Sequence, residues 1–343
     1  MPGQQIGIDL GSSCITAYAA GRGIVLHEAN AISYDSFSGD VIAVGNEAMA
    51  MTARTPSSVT LRRPMQAGVI SDFSVQCEIL RWVLNRVCKH AVFRPNLIIS
   101  VPSELTGLEQ RTILDAAIAC GAARVSLLPG PVASALGAGI SIDAPHGVLV
   151  VDIGAGTTDI AVMTMGTVAY CKSLPLAGDA FDVSIVRDLR RNEGVEIGLP
   201  TARRLKHQIG CVVAREEEFE ISVNGKDSVR QMPLQFYVTS TQLCRALRED
   251  AEKIADAVQD VLEEVPPELF ADLCDGGLTL CGGSSRLYGL DRLLGEKLRL
   301  PVRIAPDGEH CAAKGAGYAL AQMKQMEDHG LQFRVRERGM EDG

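Results

Sequence analysis

The sequence predicts a duplicated α/β fold, two related halves facing one another across a cleft. Three observations carry that expectation. Residues 6–16 read IGIDLGSSCIT and residues 149–158 read LVVDIGAGTT. Each is an apolar strand ending in Asp, then x-Gly-small-small and a return strand, and the two copies lie about half a chain apart. In both halves, short apolar runs of strand length alternate with segments of helical period. The chain has 343 residues, 46% hydrophobic and 22% charged, which suffices for two large domains or one bilobed unit.

The elements follow in order. Residues 6–10, 15–20 and 24–27 read as three successive strands joined by Gly11-Ser12-Ser13 and Gly21-Arg22-Gly23, a meander rather than a strand–helix unit. In 75–90 an apolar residue recurs every four positions (Val75, Ile79, Val83, Val87), which predicts a helix. A strand at 97–101, a helix at 107–120 and a strand pair at 148–153 and 159–164 come next. The segment 180–193 is helical, with Phe181, Ile185 and Leu189 on one face and Gly194 as its stop. Alternating residues in 218–238 predict a hairpin turning at Asn224-Gly225. A long helix over 241–265 ends at Pro266-Pro267. The charged segment 327–343 reads as a loosely held tail.

The formal net charge of −9 argues against broad nucleic-acid binding, which needs clustered Lys and Arg. A small anion can still bind where backbone N–H groups and a metal supply the positive field. The ten cysteines include no C-x-x-C pair and no zinc spacing, so buried reduced thiols are expected. There is no N-terminal signal pattern and no apolar run near the ~20 residues of a membrane span, so the chain reads as a soluble cytoplasmic protein.

The chemistry lies in the two repeated turns. A phosphate chain needs backbone N–H groups at close range, and Gly11-Ser12-Ser13 and Gly154-Ala155-Gly156 carry no side chain large enough to obstruct it. Ser12, Ser13, Thr157 and Thr158 add hydroxyl donors. Asp9 and Asp152 end apolar strands, where a carboxylate is costly without a partner. A hydrated Mg²⁺ bridging phosphates is such a partner. Either turn alone is a plain hairpin; the pair, each preceded by Asp, points to a phosphate site. No Walker loop is present, and no helix follows either turn directly as a dinucleotide fingerprint requires. Gly282-Gly283-Ser284-Ser285-Arg286 is a third element, in which glycines let the backbone approach a flat ring and an Arg plane can stack on a purine. Alone it reads equally as a helix N-cap turn; beside the other two it fits an adenosine pocket.

Three motifs in this order, D-L-G-S-S at 9–13, V-D-I-G-A-G-T-T-D at 151–159 and C-G-G-S-S at 281–285, resemble the two phosphate motifs and the adenosine motif of the actin superfamily. The closer resemblance is to the bacterial cell-shape actins of the MreB family. Supporting segments are G-I-V-L-H-E at 23–28, R-P-M-Q-A-G-V-I-S-D-F at 63–73, F-R-P at 93–95, G-D-A-F-D at 178–182 and R-R-L-K-H-Q-I-G at 203–210, and the likeness is colinear over about residues 6–322.

The resemblance implies an actin-like, ribonuclease H-like duplicated fold with ATP and Mg²⁺ in a cleft between two lobes. Lobe I would have a large subdomain (1–31, 74–141 and 312–326) and a small one (32–73). Lobe II would have a large subdomain (142–178 and 240–311) and a small one (179–239). Asp9 and Asp152 would approach the metal's waters, while Gly178, Asp179, Lys206 and Arg203 would line the ribose side. The resemblance also implies head-to-tail homopolymer filaments, a peripheral site at the inner face of the cell membrane, and wall-synthesis or division proteins as partners.

The chain departs from the family in three places. The segment that helps position the attacking water, Glu-Glu-Pro in the family, is here Leu128-Pro129-Gly130-Pro131, so turnover is expected to be weak or rerouted through Asp152, Thr158 or Asp159. Ala155 replaces the middle Gly of the second phosphate motif, and Arg203 replaces a ribose-side Glu. Ala91-Val92-Phe93 stands where the family places an apolar membrane loop, and reads equally as a turn packed internally. Two other readings of the same superfold stand beside this one: a chaperone-like or reactivating-factor ATPase, and a sugar or acetate kinase.

Overall fold

The computed structural model describes residues 3–51, 58–89 and 92–339. Two mixed sheets repeat one plan. In the first, the antiparallel meander Gly23–Ala29, Cys14–Ala19, Gln5–Leu10 continues into parallel Asn96–Val101 and Arg124–Pro129. In the second, Thr167–Leu174, Thr158–Thr164, Val148–Ile153 continues into parallel Leu278–Cys281 and Val302–Ile304. The sequence echo is therefore a structural repeat. Each Asp-bearing strand is the hinge of its sheet, antiparallel to one neighbour and parallel to the other, and its Asp lies at the C-terminal end where open α/β sheets bind ligands.

The central strands are buried on both faces, which is why they read as continuous apolar runs. Ile6, Ile8, Ile15, Leu97 and Ile99 form one core with the helix Phe73–Val87, whose N-cap Asp72 accepts from Val75 N–H. Val151, Ile153 and Ile160 pack in another against Phe181 and the long helix Ser240–Glu264. That helix begins with a capping box of Thr239 and Gln242 and stops at Val265, before Pro266. The helices Gly130–Gly137 and Cys311–Asp328 join the two sheets through an Ala-rich core. Their backbones nearly touch: a Cβ on Gly315 would lie 1.7 Å from the Ala133 carbonyl oxygen.

Two small sheets stand apart from the large ones. Ile32–Asp35, Val41–Val44 and Val59–Arg62 form one, and Val195–Glu196, Glu220–Asp227 and Pro233–Thr239 the other.

The structure corrects three expectations. The hairpin within 218–238 exists, but Asn224-Gly225 is not its turn; these residues lie in mid-strand opposite Gln235 and Leu234. The turn falls after Asp227, whose carboxylate accepts from Val229 and Arg230 N–H, with Gln231 at φ 55°. Gly225 instead admits the neighbouring strand, since a Cβ there would lie 2.7 Å from the Glu196 carbonyl oxygen. The tail is not loose throughout: the helix runs to Asp328, and Arg334–Glu337 pairs antiparallel with Arg124–Leu127 at the sheet edge. Finally, all ten cysteines are free as expected, but Cys171 and Cys274 are exposed.

Candidate functional site

The two phosphate-type turns open into one cavity of about 610 Å³. They are built alike. Gly11 N–H donates to the Cys14 carbonyl at 3.0 Å, and Gly154 N–H donates to the Thr157 carbonyl at 3.0 Å. The buried Asn30 braces the first turn, its side-chain amide donating to the Gly11 carbonyl at 3.0 Å and its backbone N–H to the Ser13 carbonyl at 2.8 Å. The N-terminus of the helix Gly178–Asn192 braces the second: Gly178 and Asp179 N–H donate to the Gly154 and Ala155 carbonyls. The turns meet at Gly156, where a Cβ would lie 2.4 Å from Ser12 Oγ.

Every residue proposed for nucleotide contact lines this cavity: Gly11, Ser12 and Ser13; Gly154, Ala155, Gly156 and Thr157; Gly178, Asp179, Arg203 and Lys206; and Gly282, Gly283, Ser284 and Arg286. Gly282 has φ +82°, and a Cβ there would lie 2.5 Å from Asp152 Oδ1, so only glycine lets the third element reach the second Asp. Ser284 Oγ donates to the Gly154 carbonyl at 2.7 Å, fixing that element to the second turn.

Asp9, Asp152 and Asp159 converge on the cavity. Asp9 and Asp152 have no ion-pair partner among the described residues; Asp152 accepts a hydrogen bond from Ser134 Oγ. Burial pushes the Asp9 carboxyl up to about 7, with Asp159 adding to the rise. Burial likewise raises Asp152 to about 7, opposed by Ser134 and reinforced by Asp9. Asp159 is raised by burial too, against the N–H of Ser103, which donates to Oδ1 at 3.0 Å. Buried carboxylates without cations form a site whose field a divalent ion would relieve, and oxygen-only ligation suits Mg²⁺. The residues present fit that ion.

One wall carries an ion network. Arg203 reaches Asp179 at 2.5 Å and Asp182 at 2.8 Å, while Lys206 reaches Asp182 at 2.6 Å and the Gly178 carbonyl at 2.5 Å. Burial pulls the Lys206 ammonium below its ordinary range, opposed by Asp182.

Thr158 does not join the site. Its side chain is fully buried and its Oγ1 donates to the Leu176 carbonyl at 2.7 Å, because strand alternation turns it away from the cavity that Thr157 and Asp159 line. At Pro129-Gly130, Gly130 lines the cavity and no carboxylate stands there. Arg286 lines the cavity but is held by the Pro306 carbonyl at 3.4 Å and Glu309 at 3.8 Å. Val92 and Phe93 are 91% and 53% exposed, so the internally packed alternative does not hold; Ala91 lies outside the described residues.

The sequence reading missed His207, Arg215, Tyr288 and Gly68, which also line the cavity. Tyr288 lies under the Arg215 guanidinium at 4.0 Å and so offers the cavity an aromatic–cation stack two residues past Arg286.

A family model described as MreB/Mbl protein matches residues 3–328. The chain is 39% identical over 329 residues to the cell shape-determining protein Mbl of Bacillus cereus, covering 96% of this chain and 99% of that protein. It is 40% identical over 321 residues to the cell shape-determining protein MreB of Escherichia coli, 92% of each being covered. Among solved structures, it resembles MreB5 of Spiroplasma citri bound to ADP (TM-score 0.89, 30% identity, 95% of this chain and 99% of that one). The same protein bound to AMPPNP gives TM-score 0.89 and 31% identity, with 96% and 99% covered.

Proposed function

The chain belongs to the MreB/Mbl family, and we propose that it is an ATP-binding bacterial actin homologue that polymerises into membrane-associated filaments and organises cell shape and wall synthesis. One observation carries the nucleotide reading: both glycine-rich turns and both strand-end Asp residues open into a single cavity. Its volume is in the range of small-molecule sites. The turns would hold the phosphates through main-chain N–H groups, and Asp9 and Asp152 would hold the waters of Mg²⁺, which when bound offsets the charge of the triphosphate. Tyr288, Arg215 and Arg286 would form the wall for the base. The cofactor in the solved MreB5 structures, ADP or an ATP analogue, supports the same class of ligand.

Hydrolysis would be weak. The wall at Gly130 carries no group to orient water, and of the three residues named for rerouted turnover only Asp152 and Asp159 reach the cavity. The two small sheets support the division of each lobe into a large and a small subdomain. Head-to-tail contacts that do not close into a ring generate filaments, and a filament would multiply the weak bilayer affinity of each exposed Val92-Phe93 pair. The chaperone-like and kinase readings recede, because the family match spans nearly the whole chain.

Sedimentation tests the assembly. With ATP and Mg²⁺ the protein should pellet, and with anionic vesicles it should pellet with them. Protein that stays in the supernatant under both conditions defeats the filament reading.

A further inference from the structure

We infer that Arg63 is a positioning residue, a latch that fastens a small hairpin over the phosphate end of the cleft and governs how long a nucleotide stays there. The inference rests on the nucleotide reading above. The hairpin pairs Met65–Gln66 with Val69–Ile70 and turns at Ala67 and Gly68, both with positive φ (45° and 75°). Its tip lodges between the two phosphate-type turns. Gly68 N–H donates to Ser12 Oγ at 3.0 Å, on the first turn. On the other side, a Cβ at Gly68 would lie 3.3 Å from Thr157 Cγ2, and one at Gly156 would lie 3.2 Å from Ala67 Cα. Packing this close is open only to residues without bulk.

Arg63 stands at the base of this hairpin, and one guanidinium nitrogen makes both of its contacts. Nη2 donates to the Ser12 carbonyl at 3.0 Å in the first lobe and to Asp179 Oδ2 at 3.1 Å in the second. The other Asp179 oxygen is held by Arg203, so the carboxylate is fixed in place. The Arg63 and Asp179 side chains are 28% and 34% exposed, which shields the pair from part of the solvent screening that weakens surface ion pairs. A phosphate chain lying between the turns leaves when the tip lifts or the second lobe swings away, and either motion breaks an Arg63 contact. Arg63 itself does not line the cavity, so its loss removes no direct contact with a ligand there.

Release of a fluorescent ATP analogue, chased with excess Mg-ATP in a stopped-flow instrument, reads the latch directly. Arg63→Ala should speed release about 10-fold while changing association much less. Arg63→Gln, which keeps a donor for the Ser12 carbonyl but loses the charge, should fall between, and it serves if the Ala variant folds poorly. Asp179→Asn should also speed release, and the double variant should be slower than the product of the two single effects, because the Arg63–Asp179 link they share is lost only once. Raising the salt should speed wild-type release more than it speeds release from Arg63→Ala. Wild-type release from Arg63→Ala, or rate effects that multiply in the double variant, would overturn the latch and leave the nucleotide reading standing. No analogue binding to the wild type would overturn both.

Discussion

Replacing Asp152 by Asn should stabilise the nucleotide-free protein at pH 8, and by less than half as much at pH 5. Burial raises the Asp152 carboxyl from 3.8 to about 7, so the folded protein binds its proton more tightly than the unfolded chain does. A carboxyl raised in this direction gives its full contribution to stability below its ordinary 3.8 and loses it progressively as pH climbs from there through about 7. Three units correspond to roughly 4 kcal/mol. The carboxyl opens onto the cavity and shares its charge problem with Asp9, so we expect about 1–3 kcal/mol. Asn keeps an oxygen for the Ser134 hydroxyl and carries no charge, so it removes the loss without leaving a hole. Urea denaturation of both proteins in chelator, at pH 5 and pH 8, measures the effect as a difference. That difference cancels the titrations of His27 and His207, whose ordinary range burial lowers. An Asn variant no more stable than wild type at pH 8, or less stable at both pH values, would mean that burial does not hold this carboxyl in its protonated form.

Three further outcomes are expected. Gly315→Ala should cost about 1–3 kcal/mol in chemical denaturation, because its methyl would meet the Ala133 carbonyl where two helices cross; a neutral change would mean the helices separate freely. Phe181→Ala, at a fully buried site between the second sheet and the long helix, should cost about 3–5 kcal/mol by the same assay, and a loss under 1 kcal/mol would contradict the packing described. Replacing Val92 and Phe93 together by Ser should lower vesicle co-sedimentation without altering pelleting by ATP alone, and unchanged vesicle binding would remove the loop as a membrane contact.

Much of this molecule is legible in the sequence where one physical pattern dominates. The strand-end Asp residues stand out because a charge closing an apolar run needs a reason, and both fall in the cavity. The long helix 241–265 reads correctly to within a residue because period, cap and proline agree. The failures come where a local signal serves a distant neighbour. Asn224-Gly225 has hairpin chemistry, yet Gly225 is there to admit the strand Val195–Glu196. Thr158 sits beside Thr157 in the sequence, and a register of two decides which one meets the cavity. Arg63 and Gly68 stand in a segment, 63–73, that supports the family resemblance but carries no chemistry of its own; the role of Arg63 depends on contacts with Ser12 and Asp179, 51 and 116 residues away. The strand Arg334–Glu337 is charged because it is a sheet edge, and composition alone reads that as a tail.

Titration calorimetry of the wild-type chain with AMPPNP, in the presence and absence of Mg²⁺, reads out whether the two turns close on a metal-bound nucleotide. One binding event per chain that weakens strongly when Mg²⁺ is withheld, and weakens likewise in Asp152→Asn, is the outcome expected of two turns closing on a metal-bound triphosphate. No heat, or an affinity indifferent to both the metal and Asp152, would contradict it.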